Sequence, residues 1–238
     1  MEKRKGLPTG SGRGRFIVID GTDGSGKATQ TKILIKNLRK AGRQVKTIDF
    51  PRYYGNFFGK FIGECLAGEY GNFLEVNPYI ASVLFAADRF ESAGKIKEWL
   101  REGSIVIADR YASSNQIHQG GKIKNEEERK KFLNWLERME FKIFQIPRPD
   151  AILYLDVPLE ITQKLLEGKE KTRKKRYLKG RKDLHENNPE HLRDAKDSAI
   201  KILRKNNNWV RINCARNQEL MGIEEISQII WKKIQEII

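Results

Sequence analysis

The chain has 238 residues, 46 Lys and Arg against 31 Asp and Glu, and a net charge of +15. That length fits one α/β domain with a sizeable core. No apolar run approaches the roughly 20 residues of a membrane-spanning helix, and no signal-peptide pattern is present, so no membrane partner is expected. Two cysteines, Cys65 and Cys214, make neither a metal spacing nor a disulfide framework, which points to a reducing cytoplasm.

The charge is local. Residues 1–14 carry four basic groups and one acid, and residues 164–182 carry ten basic groups and two acids. Such clusters suit a site that grips phosphates better than a duplex-sized face, so nucleic acid is not the expected partner. Residues 1–14 also contain four glycines and no apolar periodicity, and read as a flexible tail ahead of a single domain over 15–238.

Phe16–Ile19 is an apolar, β-branched run, the mark of a buried strand. It enters GTDGSGK, Gly21 to Lys27, and then a helical pattern to about Lys40. Strand, glycine-rich turn and helix form the context of a phosphate-binding loop. Gly21, Thr22, Asp23, Gly24, Ser25, Gly26 and Lys27 would cradle a triphosphate, with Lys27 on the outer phosphates. The hydroxyl that normally follows the lysine and binds Mg²⁺ is missing. Ala28 stands there, and Thr29 is the alternative hydroxyl.

Val45–Phe50 reads as a second strand ending in FPRYYG, where Arg52 is either a phosphate ligand or a solvated loop arginine. Phe57–Leu66 has helical spacing. Asn77-Pro78 starts a helix that runs to about Arg101. Phe85 and Arg89 share one face of it, an aromatic plane beside a guanidinium. Ser104–Ala108 is a third strand, followed by Asp109-Arg110-Tyr111. An acid at such a strand end, opposite a phosphate loop, can hold Mg²⁺ through water, and Arg110 can pair with phosphate. The polar stretch after it offers Ser114, Asn115, His118 and Gln119 as reading groups.

Asn125 begins a helix expected to reach about Phe144. Ala151–Val157 is a fourth strand. A helix from Leu159 enters the basic segment, which we read as a mobile lid over about 164–183 that closes on ATP. Glu190–Arg204 is a helix, Trp209–Asn213 a fifth strand, and Ile223–Ile238 a closing amphipathic helix. The expected fold is a three-layer α/β domain: a five-stranded parallel sheet flanked by helices.

Together, FIVIDGTDGSGKATQ, FPRYYG, LFAADRFE, ADRYASSNQIHQGG, LDVPLE and the arginine-rich lid resemble the thymidylate kinases, P-loop enzymes that phosphorylate dTMP. The resemblance covers about residues 15–238. It implies ATP and dTMP as substrates, Mg²⁺ as cofactor and a homodimer. It places Asp23 toward the dTMP sugar-phosphate and Phe50 and Arg52 beside the nucleotide. Phe85 would stack on thymine, Arg89 would contact a base carbonyl, and Ser114 and Asn115 would read the base edge. Arg110 would hold the dTMP phosphate, and Asp109 the metal through water. His118 falls where many members place a tyrosine near the sugar 2′ position. Some members carry an arginine in the P-loop, where this chain has Gly24. That implies a catalytic arginine from the lid, with Arg173, Arg176 and Arg181 as candidates and Arg173 or Arg176 favoured. Two other readings stay open on sequence: a related kinase acting on dUMP, UMP or a deoxynucleoside, and a nucleic-acid-associated P-loop NTPase.

Overall fold

A computed structural model describes residues 13–170 and 188–238. Five strands, β1 (Phe16–Asp20), β2 (Val45–Asp49), β3 (Ile105–Asp109), β4 (Ala151–Asp156) and β5 (Trp209–Asn213), form a parallel sheet in the order β2–β3–β1–β4–β5. Helices on both faces bury β1 and β4 completely, which is why they read as apolar runs up to their final aspartates. The pleat sorts their side chains. Phe16 and Val18 of β1 face one way, with Val106, Ala108, Ile152 and Tyr154, and pack on Ile96 and Leu100 and on Ala195 and Ile202. Ile17 and Ile19 face the other way, with Ile107, Leu153 and Leu155, against Leu34, Leu38, Ile230 and Ile234. The helices supplying these contacts are α1 (Lys27–Lys40), α3 (Pro78–Arg101), α7 (Pro189–Leu203) and α8 (Ile223–Gln235); α2 is Phe57–Leu66.

Helix starts follow local chemistry. Asn56, Asn77, Asn125 and Asn188 each cap a helix by accepting from a backbone N–H two or three residues on, and Pro78 and Pro189 fill first-turn positions that need no donor. Each such cap is worth about 1 kcal/mol.

Three features go beyond the sequence reading. The polar stretch after Tyr111 forms α4 (Ala112–Ser114) and a π-helical turn, Asn115–Gln119, whose residues are mostly buried. The helix expected from Asn125 to Phe144 is α5 (Glu126–Glu137) followed by a second π-helical turn, Arg138–Ile143. A short hairpin, β6 (Ala215–Arg216) with β7 (Glu219–Leu220), joins β5 to α8. The fourth strand leads into α6 (Leu159–Glu170). Residues 171–187, with most of the expected lid, and residues 1–12 of the expected tail lie outside the described residues. Gly14 is buried against α3, its N–H donating to Leu100 O at 2.8 Å.

The registers Ile19↔Asp109 and Asp49↔Asp109 align the carboxyl ends of β1, β2 and β3. The phosphate loop, the FPRYYG segment and the Asp109-Arg110-Tyr111 element therefore leave the sheet along one edge, where ligands of open α/β sheets collect.

Candidate active site

The phosphate loop joins the central strand β1 to α1. Gly26 stands at the N-terminus of α1 in the left-handed region (φ 84°) and no side chain caps the helix, so its first N–H groups face the loop interior. Lys27 is buried. Its Nζ donates to Gly21 O at 3.0 Å and Thr22 O at 2.9 Å. Burial, then the neighbouring Arg110 charge, pulls its pKa down, while Asp23, Asp109 and Asp20 oppose this. The Ser25 hydroxyl is buried and has no hydrogen-bond partner among the described residues, a donor that a phosphate oxygen would satisfy. Gly24 combines φ +83° with a close approach to α6: a Cβ there would lie 2.7 Å from Thr162 O. No arginine fits at that position of this loop, consistent with the absence of one from the sequence.

Asp20, at the end of β1, is fully buried. It accepts from Gly21 N–H at 2.8 Å and from the hydroxyls of Ser113 and Ser114 at 2.6 and 2.8 Å, and it faces Arg110 at 3.7 Å. Ser114 was expected to read a base edge; its hydroxyl instead joins this carboxylate network. Arg110 pairs with Asp23 and donates from Nη1 to His118 Nε2 at 2.9 Å. Burial works against its charge, but Asp23, Asp20 and Asp109 outweigh that and raise its pKa. Arg110 also holds a left-handed backbone (φ 66°), a conformation that costs on the order of 1 kcal/mol for a residue with a Cβ and is commonest at functional positions. Arginine only donates, so His118 Nε2 is the acceptor and its proton sits on Nδ1. That nitrogen lies 3.3 Å from His191 Nε2, with the rings stacked. His191, in the first turn of α7, is pushed down to about 4 by burial and then by the Lys122 charge.

Asp109 lies at the end of β3. Burial raises its carboxyl pKa, Asp20 and Asp49 add to this, and Lys27 and Arg110 oppose it. Among the described residues, no three acidic, histidine or cysteine side chains gather closely enough to hold a metal ion alone. Mg²⁺ usually keeps waters and takes one or two carboxylates plus phosphates, so Asp109 with a bound triphosphate fits it, and the crowded carboxylates gain from a cation. Thr29 is exposed in the first turn of α1, and Ala28 gives no ligand.

The other half of the site is built on α3. Phe85 is half-buried, packing edge-on against Phe73 at 6.0 Å. Arg89 is buried and forms a two-pronged pair with Glu140 of the second π-helical turn, through Nε at 2.8 Å and Nη2 at 2.6 Å. Asn115 Nδ2 donates to the same carboxylate at 3.0 Å and to Ser82 O at 3.1 Å. Asp88, buried on α3, receives Asn56 Nδ2 at 2.7 Å and the Arg52 backbone N–H, and so fastens the FPRYYG segment to the helix. Burial raises its pKa and the Asn56 hydrogen bond opposes this. The Arg52 side chain reaches Ser92 Oγ at 3.4 Å. Phe50 is not at a ligand face: it is core, its ring 5.5 Å from that of Tyr111. Arg173, Arg176 and Arg181 lie outside the described residues.

The thymidylate kinase family profile matches residues 19–225. The chain belongs to the thymidylate kinase family. Thymidylate kinase of Mycobacterium tuberculosis is 35% identical over 154 residues, covering 65% of this chain and 71% of that protein. Thymidylate kinase of Thermosipho africanus is 29% identical over 221 residues, covering 92% and 99%. The structure of a thymidylate kinase from Candida albicans shares the fold, with a TM-score of 0.71, 24% identity and coverage of 95% of this chain and 93% of that one. The family takes ATP as phosphoryl donor, generally with Mg²⁺.

Sequence reasoning missed Asp20, Asp88, Glu140 and His191. A signal existed for Glu140: it falls next to Met139 on the apolar stripe Phe132, Leu136, Met139, where an acid needs a buried partner. Nothing local marked His191, which meets His118 only through the packing of α7 on the first π-helical turn.

Proposed function

We propose that the chain transfers the γ-phosphoryl group of ATP to dTMP, giving dTDP and ADP. Family membership supports this, and one observation carries it at the site: at a single sheet edge, Arg110 links the phosphate loop to the first π-helical turn, whose Asn115 is fastened to α3, the helix of Phe85 and Arg89. The triphosphate lies on the loop, with Lys27 on its outer phosphates. Phe85 stacks on the base, and Arg89 and Asn115 meet its edge. Arg110, oriented by Asp23, Asp20 and His118, meets the acceptor phosphate. Phosphoryl transfer needs alignment and neutralisation of spreading negative charge more than covalent help. Lys27 and Arg110 supply both, and Arg173 or Arg176 completes the set from the lid. Asp109, through water, and Thr29 would hold Mg²⁺ together with the triphosphate, and the ion would supply positive charge at the phosphate oxygens.

The chain acts as a homodimer formed through α3. This reading is supported by exposed Ile80, Val83 and Phe90 on that helix and by Phe57 on α2, apolar groups that a second copy would cover. No helix among the described residues is long and apolar enough to cross a membrane, and a cytoplasmic location fits two free, buried cysteines. A coupled ADP-release assay over dTMP, dUMP, UMP, dCMP and thymidine tests the reaction. dTMP should give the highest kcat/KM; turnover with thymidine alone would show the wrong acceptor class.

A further inference from the structure

Glu140 is 1% exposed and has no place in the transfer chemistry, yet it ties together the two groups that meet the base. It takes Nε and Nη2 of Arg89 and one amide proton of Asn115. The other amide proton of Asn115 goes to Ser82 O. Both neighbours of that amide nitrogen only accept, so the side chain can face only one way. Its Oδ1, which receives no hydrogen bond among the described residues, is the atom left for a ligand. Arg89 keeps Nη1, whose only protein partner among the described residues is Tyr111 O at a long 3.5 Å. Ser82, Phe85 and Arg89 lie three and four residues apart on α3, so Asn115, held on Ser82 O, and Arg89 attach to the helix one turn either side of Phe85.

We infer that Glu140 is a positioning residue that sets which bases the site accepts. By fixing Asn115 and Arg89 it presents one acceptor and one donor, the complement of a pyrimidine with an N3–H donor beside a 4-oxo acceptor. Thymine and uracil carry that edge. Cytosine reverses it, with N3 accepting and the 4-amino group donating, and meets two mismatches. Both π-helical turns serve this arrangement: Asn115 opens the first, and the second brings Glu140 inward beside Met139.

The inference rests on the proposed base site, so the test separates the two. The wild-type protein is assayed with dTMP, dUMP, dCMP and N3-methyl-dTMP, and Glu140→Gln with the same set. In the wild type, dTMP should exceed dCMP by about 10⁴-fold in kcat/KM, in the range seen where buried polar groups are mispaired, and N3-methylation should abolish use. In Glu140→Gln the new amide lets Asn115 turn over, and the dTMP-to-dCMP ratio should fall about 10–100-fold with the KM for ATP unchanged. A folded Glu140→Gln variant that loses rate equally on every nucleotide would reduce Glu140 to a structural part and overturn the inference. So would wild-type use of N3-methyl-dTMP at a rate near that of dTMP, a result that stands even where the variant does not fold. A wild-type protein with no dTMP activity at all would instead refute the proposed function.

Discussion

The two halves of the site are held in different ways. On the base side, Arg89, Glu140 and Asn115 form a buried cluster that saturates Glu140 and both amide protons of Asn115. On the phosphate side, Lys27 is held by loop carbonyls and Arg110 by carboxylates and an imidazole, partners that also bind cations in other settings and can yield to phosphate. A recognition surface gains from rigidity, because selectivity depends on donors and acceptors staying in register. A transfer site needs positive charge that is positioned yet able to follow the moving phosphoryl group. The first π-helical turn joins the two sides: Asn115 on it belongs to the base cluster, and His118 on it accepts from Arg110.

That contrast can be broken at several points. The largest effect is expected from Arg110→Ala, which removes charge from the acceptor phosphate and breaks the pairing with Asp23 and Asp20. Turnover should fall by about 10³-fold or more, in the range seen for arginines that complete phosphoryl-transfer sites, with a smaller change in the KM for dTMP. Steady-state kinetics would show this, and a variant that kept its kcat would remove Arg110 from the mechanism. Glu140→Ala acts on the rigid side. Stranding a buried guanidinium should lower the unfolding free energy by about 3–5 kcal/mol, read from urea titration, whereas a loss under 1 kcal/mol would mean that Arg89 finds another partner. Phe85→Ala should weaken dTMP by the value of one base stack, about 1–3 kcal/mol, appearing as a higher KM at nearly constant kcat.

The smallest effect concerns His191. Its folded pKa of about 4 lies below its unfolded value near 6.5, so the unfolded chain binds the extra proton between those pH values. Stability from this group is therefore complete above about pH 6.5 and declines as the pH falls toward 4. Replacing His191 by Gln should flatten the pH dependence of the urea midpoint in that window. An unchanged slope would show that His191 titrates normally in the folded protein.

Much of the fold could be read from the sequence because buried parallel strands are apolar runs and four of the helix starts carry asparagine caps. The phosphate loop was legible for the same reason: its glycines and lysine are contiguous. The base side was legible only in part. Phe85 and Arg89 were visible as an i, i+4 pair, but Glu140 lies 51 residues from Arg89 and only the tertiary fold joins them. The stretch from Ala112 to Gln119 gave no helical signal because most of its buried side chains are polar, which hides a buried helix from a hydropathy pattern. The β6–β7 hairpin turns on Asn217 and Gln218, both at positive φ, without the glycine that usually announces such a turn.

The most direct measurement is phosphorus NMR of the purified chain mixed with ATP, Mg²⁺ and dTMP. The dTMP resonance should diminish while the paired resonances of dTDP and ADP grow in equal amounts, dependent on dTMP. Inorganic phosphate growing in their place, or ATP consumed at the same rate without dTMP, would contradict it.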